Sequence, residues 1–201
     1  MQQEIVEYYN SHADKIIELK KKSRIDQKEQ DICIENIPKK DNLKILEVGF
    51  GIGTLIKRLI EMLPDSSQIT GIEISQAMFD IAKKDLVNAN LYLGDFLEES
   101  NELEDNYDVL ICLGVIEHYK GVEAFFDRFR KLVKEEGTLI LSFAQSSLLG
   151  RVTAYRCKRK GAPAYTHKRK KIKNTLKSKG FLMIKDIYLG LSQRMMIFEK
   201  H

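Results

Sequence analysis

What the chain lacks narrows it first. No apolar run approaches the roughly 20 residues that a membrane-spanning helix needs, so no span is expected. The opening Met1-Gln2-Gln3-Glu4 lacks the basic-then-apolar pattern of a secretory leader. Only three cysteines occur, Cys33, Cys112 and Cys157, an odd number without CxxC spacing. Cys112 falls in an apolar run and reads as a buried, reduced thiol, which predicts a cytoplasmic setting. Internal repeats and low-complexity tracts are missing as well. Most telling is a gap in one sign of charge: from Gly137 to Lys185 there is no Asp or Glu, against 13 Lys and Arg. The 33 basic residues less these 13 leave 20 against 29 acidic ones, a balance of −9 elsewhere. A mildly acidic body therefore carries one strongly basic segment.

What is present is an ordinary globular composition, 43% apolar and 31% charged over 201 residues, enough for one domain with its own core. Short apolar runs alternate with amphipathic ones, the sign of βαβ units and a mostly parallel sheet. Strands are predicted at 43–48, 68–73, 91–93, 107–113 and 138–143. Between them, Leu55, Ile56, Leu59, Met62 and Leu63 mark one helix and Met78, Ile81, Ala82 and Leu86 a second, with Ser75 as N-cap. Val122, Phe125, Phe126, Phe129, Leu132 and Val133 mark a third. Thr166 is a candidate cap for a helix reaching Lys179, with Gly180 just past its end. The runs 181–189 and 194–199 are joined by Gly190-Leu191-Ser192-Gln193, too short for a crossover helix, so they must be antiparallel. The expected fold is a Rossmann-like α/β protein: seven strands, a final antiparallel hairpin, helices on both faces and an N-terminal helical lid. Within a single domain, 1–201, the parts are a helical cap (1–40), a core (41–144), a basic lid or insert (145–170), and a last helix with hairpin (171–201). The stretch 145–165 shows no element of its own.

Chemistry concentrates at the first strand-to-helix turn, Glu47-Val48-Gly49-Phe50-Gly51-Ile52-Gly53. Glycines are needed where the backbone turns tightly and a ligand approaches it closely. Glu73 ends the next strand 20 positions past Gly53, where a carboxylate accepts hydrogen bonds from both hydroxyls of a ribose. The spacing is GxGxG, with Thr54 where a dinucleotide fingerprint has its third glycine. With an acidic residue two before the first glycine, the loop resembles the first motif of the class I S-adenosylmethionine-dependent methyltransferases. Gly71-Ile72-Glu73-Ile74-Ser75, Leu93-Gly94-Asp95-Phe96, Tyr107–Leu113 and Glu136-Gly137-Thr138-Leu139 extend the resemblance over nearly the whole chain. It implies S-adenosylmethionine as cofactor and S-adenosylhomocysteine as product. Gly49, Gly51 and Gly53 would line the methionine end and Glu47 hold its amino group. Glu73, with Ile74 beside it, would take the ribose and Asp95, with Phe96, the adenine; Leu113 and Gly114 would pass the sulfonium. A carboxylate-rich pocket suits a cation better than a pyrophosphate.

Methyl transfer from a sulfonium is an in-line displacement, helped by a base when the nucleophile is a hydroxyl or an acidic carbon. Val115-Ile116-Glu117-His118-Tyr119 follows the fourth strand and resembles the Glu-His segment of small-molecule methyltransferases, including the ubiquinone-biosynthesis O-methyltransferases. His118 and Glu117 are the catalytic candidates; either could instead hold the loop. In those relatives a further Glu three residues earlier completes a metal site. Gly114 stands there here, so no metal is expected. Tyr8, Tyr9 and His12 resemble the family's lid helix, and Tyr8 and Tyr9 are candidate substrate contacts. The Asn/Asp-Pro-Pro-aromatic tetrapeptide of nucleic-acid amino methylation and the paired-glutamate loop of protein arginine methyltransferases are both missing.

The basic segment supplies the remaining candidates, Tyr155, Arg156 and Tyr165, among Arg151, Lys158, Arg159 and Lys160 and the lysines up to 173. An unmixed positive surface attracts an anionic acceptor or an anionic lipid headgroup. A small-molecule methyltransferase follows, acting on an anionic or membrane-presented acceptor. Two rivals use the same cofactor residues: an RNA methyltransferase recruited by the basic segment, and a cofactor-binding partner protein without methyl transfer. Nothing in the sequence sets an oligomeric state.

Overall fold

A computed structural model describes residues 2–98, 103–190 and 192–201. Three helices come first: α1 Gln2–Ser11, α2 Ala13–Lys21 and α3 Arg24–Glu35. The alternating core follows as β1 Lys44–Val48, α4 Thr54–Met62, β2 Gln68–Glu73, α5 Gln76–Asp85, β3 Asn90–Leu93 and β4 Tyr107–Cys112. A 3₁₀ turn Ile116–His118, α6 Glu123–Leu132, β5 Val133–Ala144, α7 Leu148–Arg159, α8 Arg169–Ser178, β6 Phe181–Gly190 and β7 Gln193–Lys200 complete it. Seven strands form one sheet in the order β3-β2-β1-β4-β5-β7-β6. The first five pair in parallel, while β7 runs antiparallel to both β5 and β6. The anticipated hairpin is therefore present, with its second strand inserted between β5 and the edge. Leu191, in its link, lies outside the described residues.

Strand alternation builds two cores, one on each side of the sheet. Leu46, Val48, Leu110, Cys112, Leu139, Leu141, Phe143, Met196 and Phe198 face α6 and α8, meeting Phe125, Phe126, Phe129, Ile172 and Leu176. Ile45, Val109, Ile111, Ile140, Met195 and Ile197 face the other way, onto α3, α4 and α5 through Cys33, Ile56, Leu59, Phe79 and Leu86. Cys33 and Cys112 are buried free thiols. No helix among the described residues is long and apolar enough to cross a membrane.

Local signals explain most boundaries. The Ser75 hydroxyl caps α5 by accepting from Met78 N–H at 3.3 Å. Gly180 has φ +85° just beyond α8, the left-handed stop that glycine permits without strain. Three expectations need correction. On α5 it is Phe79, not Ile81, that is buried with Met78 and Ala82. The helix expected to be capped by Thr166 begins later, at Arg169. His167 is held extended instead, donating its N–H to Ala144 O at 2.9 Å and accepting from Ser146 N–H at 2.8 Å. The stretch 145–165 is no bare connection, since α7 occupies most of it. Ser147 caps α7 by accepting from Gly150 N–H at 3.0 Å. Its leucines were not read as a helix face because they point outward, where no core demands them.

Candidate active site

The glycine turn is built as its spacing requires. Gly49 and Gly53 have φ of +72° and +76°, backbone that side chains rarely adopt. Space is closed as well. A Cβ on Gly49 would fall 2.3 Å from Val115 Cγ2, and one on Gly53 2.2 Å from Leu86 Cδ1. Gly49 N–H donates to Ile72 O at 2.8 Å, which ties the turn to β2. The buried Glu73 carboxylate then laces the turn from the tip of β2. Its Oε2 accepts from Gly51 N–H at 2.8 Å and its Oε1 from Ser75 N–H at 2.9 Å. A carboxylate fixed by two backbone donors keeps lone pairs for a diol while its orientation is set.

Beside this turn lies a pocket. Gly49, Gly51, Glu73, Ile74, Leu113 and Gly114 line it, so six of the ten predicted cofactor residues meet there. On the other flank of the turn a second hollow is lined by Glu47, Gly49 and Leu113 together with Asp26 and Glu29 of α3. The acidic contribution of α3 had no signal in the sequence. Gly114, at φ +67°, donates its N–H to the Ser142 hydroxyl at 2.9 Å, so a buried serine of β5 fixes the loop after β4.

Asp95 stands one layer back, behind the pocket-lining Tyr119, whose hydroxyl points at its Oδ2 from 3.5 Å. Its Oδ1 accepts from Leu97 N–H at 2.7 Å. Burial pushes the Asp95 carboxyl above the usual range, outweighing that backbone hydrogen bond. Phe96 turns the other way. Its ring packs on Phe125 and Phe129, and the Arg128 guanidinium lies 4.1 Å from its centroid. Only its main chain is left for an adenine.

The N-terminal helices roof the pocket with Ile5, Tyr9, Ile16 and Ile17. They are anchored by Asn10, whose Oδ1 accepts from the Ser75 hydroxyl at 2.7 Å and from Ala77 N–H at 3.2 Å. Here the roof meets the catalytic candidate. The Tyr9 hydroxyl and His118 Nε2 are 2.7 Å apart, while His118 Nδ1 is 2.6 Å from the Pro163 carbonyl oxygen. A carbonyl only accepts, so Nδ1 carries the proton and Nε2 accepts from Tyr9. Burial first, then the charges of Glu117 and Glu73, push the Tyr9 hydroxyl far above its ordinary value, which keeps it a donor. His118 is thus held between a main-chain carbonyl and the Tyr9 hydroxyl, with Nε2 turned toward the pocket through Tyr9.

The other predicted residues divide. Glu117 Oε2 accepts from Ala144 N–H at 2.9 Å and from the Gln193 amide at 3.3 Å, and its main-chain oxygen accepts from Tyr165 N–H at 2.6 Å. It joins the ends of β5 and β7 to the loop before α8. Tyr8 stacks on His12 with centroids 4.6 Å apart and meets Tyr9 edge-on, but does not line the pocket. The Tyr165 ring lies under the Lys158 ammonium at 3.9 Å. Tyr155 and Arg156 stand exposed on α7, away from the pocket.

A family profile described as a methyltransferase domain matches residues 46–139. The ubiquinone biosynthesis O-methyltransferase of Rickettsia bellii is 33% identical over 103 residues, 50% of this chain and 42% of that protein. The malonyl-[acyl-carrier protein] O-methyltransferase of Acetivibrio thermocellus is 28% identical over 107 residues, 53% of this chain and 38% of that protein. The matches thus span less than half the length of these relatives. Among solved structures, magnesium protoporphyrin IX methyltransferase of Synechocystis PCC 6803 with bound S-adenosylhomocysteine superposes with a TM-score of 0.72 at 22% identity, covering 98% of each chain. With the acidic-xGxGxG turn on β1, the carboxylate ending β2 and the lone antiparallel β7, the chain has the fold of the class I S-adenosylmethionine-dependent methyltransferases, and its residues 46–139 match a methyltransferase domain.

Proposed function

We propose that the protein transfers a methyl group from S-adenosylmethionine to a small acceptor, by preference at oxygen or carbon. The observation that carries this is the convergence of the Gly49–Gly53 turn, Glu73 and His118 on one pocket. The donor set fits the cofactor. Glu73 is oriented for a ribose, Ile52, Ile74 and Met78 give apolar walls, and the buried Glu47 suits an ammonium group. When bound, the cofactor supplies an activated methyl group for in-line displacement. The chain's own residues then position the acceptor, exclude water and handle one proton. The Tyr9 hydroxyl hands its proton to His118 Nε2 as it takes one from an acceptor hydroxyl, while the Nδ1–H bond to Pro163 holds the ring in place. Asn10 and the apolar face of α1 keep Tyr9 over the pocket, which favours a dry site.

The basic segment supports an anionic or membrane-presented acceptor, and the buried free thiols Cys33 and Cys112 support a reducing, cytoplasmic setting. The test is methyl incorporation from labelled S-adenosylmethionine into phenolic, carboxylic and phosphorylated small molecules. Incorporation into one class supports the reading. Cofactor binding with no incorporation into any would favour a non-catalytic partner protein, and incorporation into RNA alone an RNA methyltransferase.

A further inference from the structure

We propose that α7 is a docking helix that seats the protein on an anionic lipid surface. Its outward side carries Leu148, Val152, Tyr155 and Arg159, spaced by four, three and four residues and therefore nearly in line along the helix. The apolar members are 83%, 41% and 63% exposed, and Leu149 beside them is 48% exposed. Exposed apolar side chains in single file on a helix anchored from below are unusual in a surface that meets only water. The underside is where α7 is held, through the buried Gly150 and the half-buried Ala154 and Cys157. At 100° per residue, Arg151 and Lys158 fall on one side of the ridge, and Arg156 and Lys160 on the other. An apolar ridge between two basic rows is the arrangement of a helix lying in a membrane interface. The ridge enters the acyl boundary, and the long cationic side chains reach up to the headgroups.

The charge decides between occupants. No acidic residue lies between 137 and 185, so the face complements an anionic leaflet. A nucleic acid would use the cations but gain little from Leu148 and Val152. A shallow groove lined by Lys120, Arg151 and Lys158, with Tyr165 as one wall, lies beside α7 and suits a headgroup phosphate. The segment after α7 also reaches the pocket, because it supplies the Pro163 carbonyl that holds His118. A headgroup bound in that groove would therefore touch the same loop that holds His118, which couples docking to the site. That last step rests on the methyl-transfer reading; docking does not.

Co-sedimentation with vesicles tests it, using phosphatidylcholine alone and phosphatidylcholine mixed with phosphatidylglycerol. The protein should sediment with the mixed vesicles and not with the neutral ones. The double variant Leu148→Ser, Val152→Ser should bind at least about tenfold more weakly, since each buried methylene contributes to interfacial affinity. Arg156→Gln with Arg159→Gln should cost about fivefold per charge and flatten the salt dependence. All four side chains concerned are at the surface, so these variants should keep the parent's thermal midpoint. S-adenosylhomocysteine affinity, measured on the same preparations, separates failure of docking from failure of the cofactor reading. No binding to either vesicle would overturn the proposal. So would undiminished binding of the serine variant, or salt-sensitive binding to single-stranded RNA in place of vesicles.

Discussion

Tyr9 and His118 should behave as one unit. If the hydroxyl relays a proton to Nε2 across their 2.7 Å contact, removing either partner breaks the same path. Tyr9→Phe and His118→Gln should each slow the methyl-transfer step by about 10²–10⁴-fold, the usual worth of a positioned acid or base. That is about 2.7–5.5 kcal/mol of barrier at 1.36 kcal/mol per decade. The folded state has far less at stake. One half-buried neutral hydrogen bond contributes about 0.5–1.5 kcal/mol net, so lost stability cannot account for the lost rate. The double variant should fall no further than about tenfold below the worse single, because the second substitution removes a path already broken. The assay is single-turnover methyl transfer with cofactor saturating, beside thermal unfolding of each variant. Losses that multiply in the double variant would refute the relay. So would a loss below about tenfold for Tyr9→Phe, which would leave Tyr9 as roof packing.

Two further outcomes follow from the frame around the site. Gly49→Ala places a Cβ at φ +72° and 2.3 Å from Val115, so we expect about 1–3 kcal/mol lower stability and weaker cofactor binding, read by urea unfolding and calorimetry. Asp108, at the opposite end of the sheet from the site, gives a pH signature. Burial alone would raise it, but hydrogen bonds from Lys134, from Lys40 at 2.5 Å and from Lys44 N–H at 2.8 Å outweigh that and hold it at about 2. A carboxylate depressed from its unfolded value of about 3.9 contributes stability that is full above that value and is lost as pH falls through about 2. Thermal midpoints of the parent should drop across that acid window, and Asp108→Asn should be less stable at neutral pH with a shallower acid limb.

The parts of the site legible in the sequence are those fixed by backbone geometry. The glycine turn had to be glycine because of its positive φ values and the side chains closing on it. Glu73 was placed by the length of one helix and one strand, and the hairpin by a link too short to cross over. What did not show was set by tertiary contact. Pro163 acts through a carbonyl, which every residue has, and Ser142 through a hydroxyl in the otherwise apolar run 139–144 of β5. Phe96 follows Asp95 in sequence yet faces α6, where Phe125 and Phe129 take up its ring. The exposed helix α7 was missed because its apolar ridge faces away from the core that periodicity is used to find.

The most direct measurement is calorimetric titration of the protein with S-adenosylhomocysteine, repeated with Glu73→Ala. The account predicts saturable, one-to-one binding and a loss of about 1.5–3 kcal/mol in the variant, the scale of hydrogen bonds to a charged group. Saturable binding of NAD with none of S-adenosylhomocysteine would contradict it.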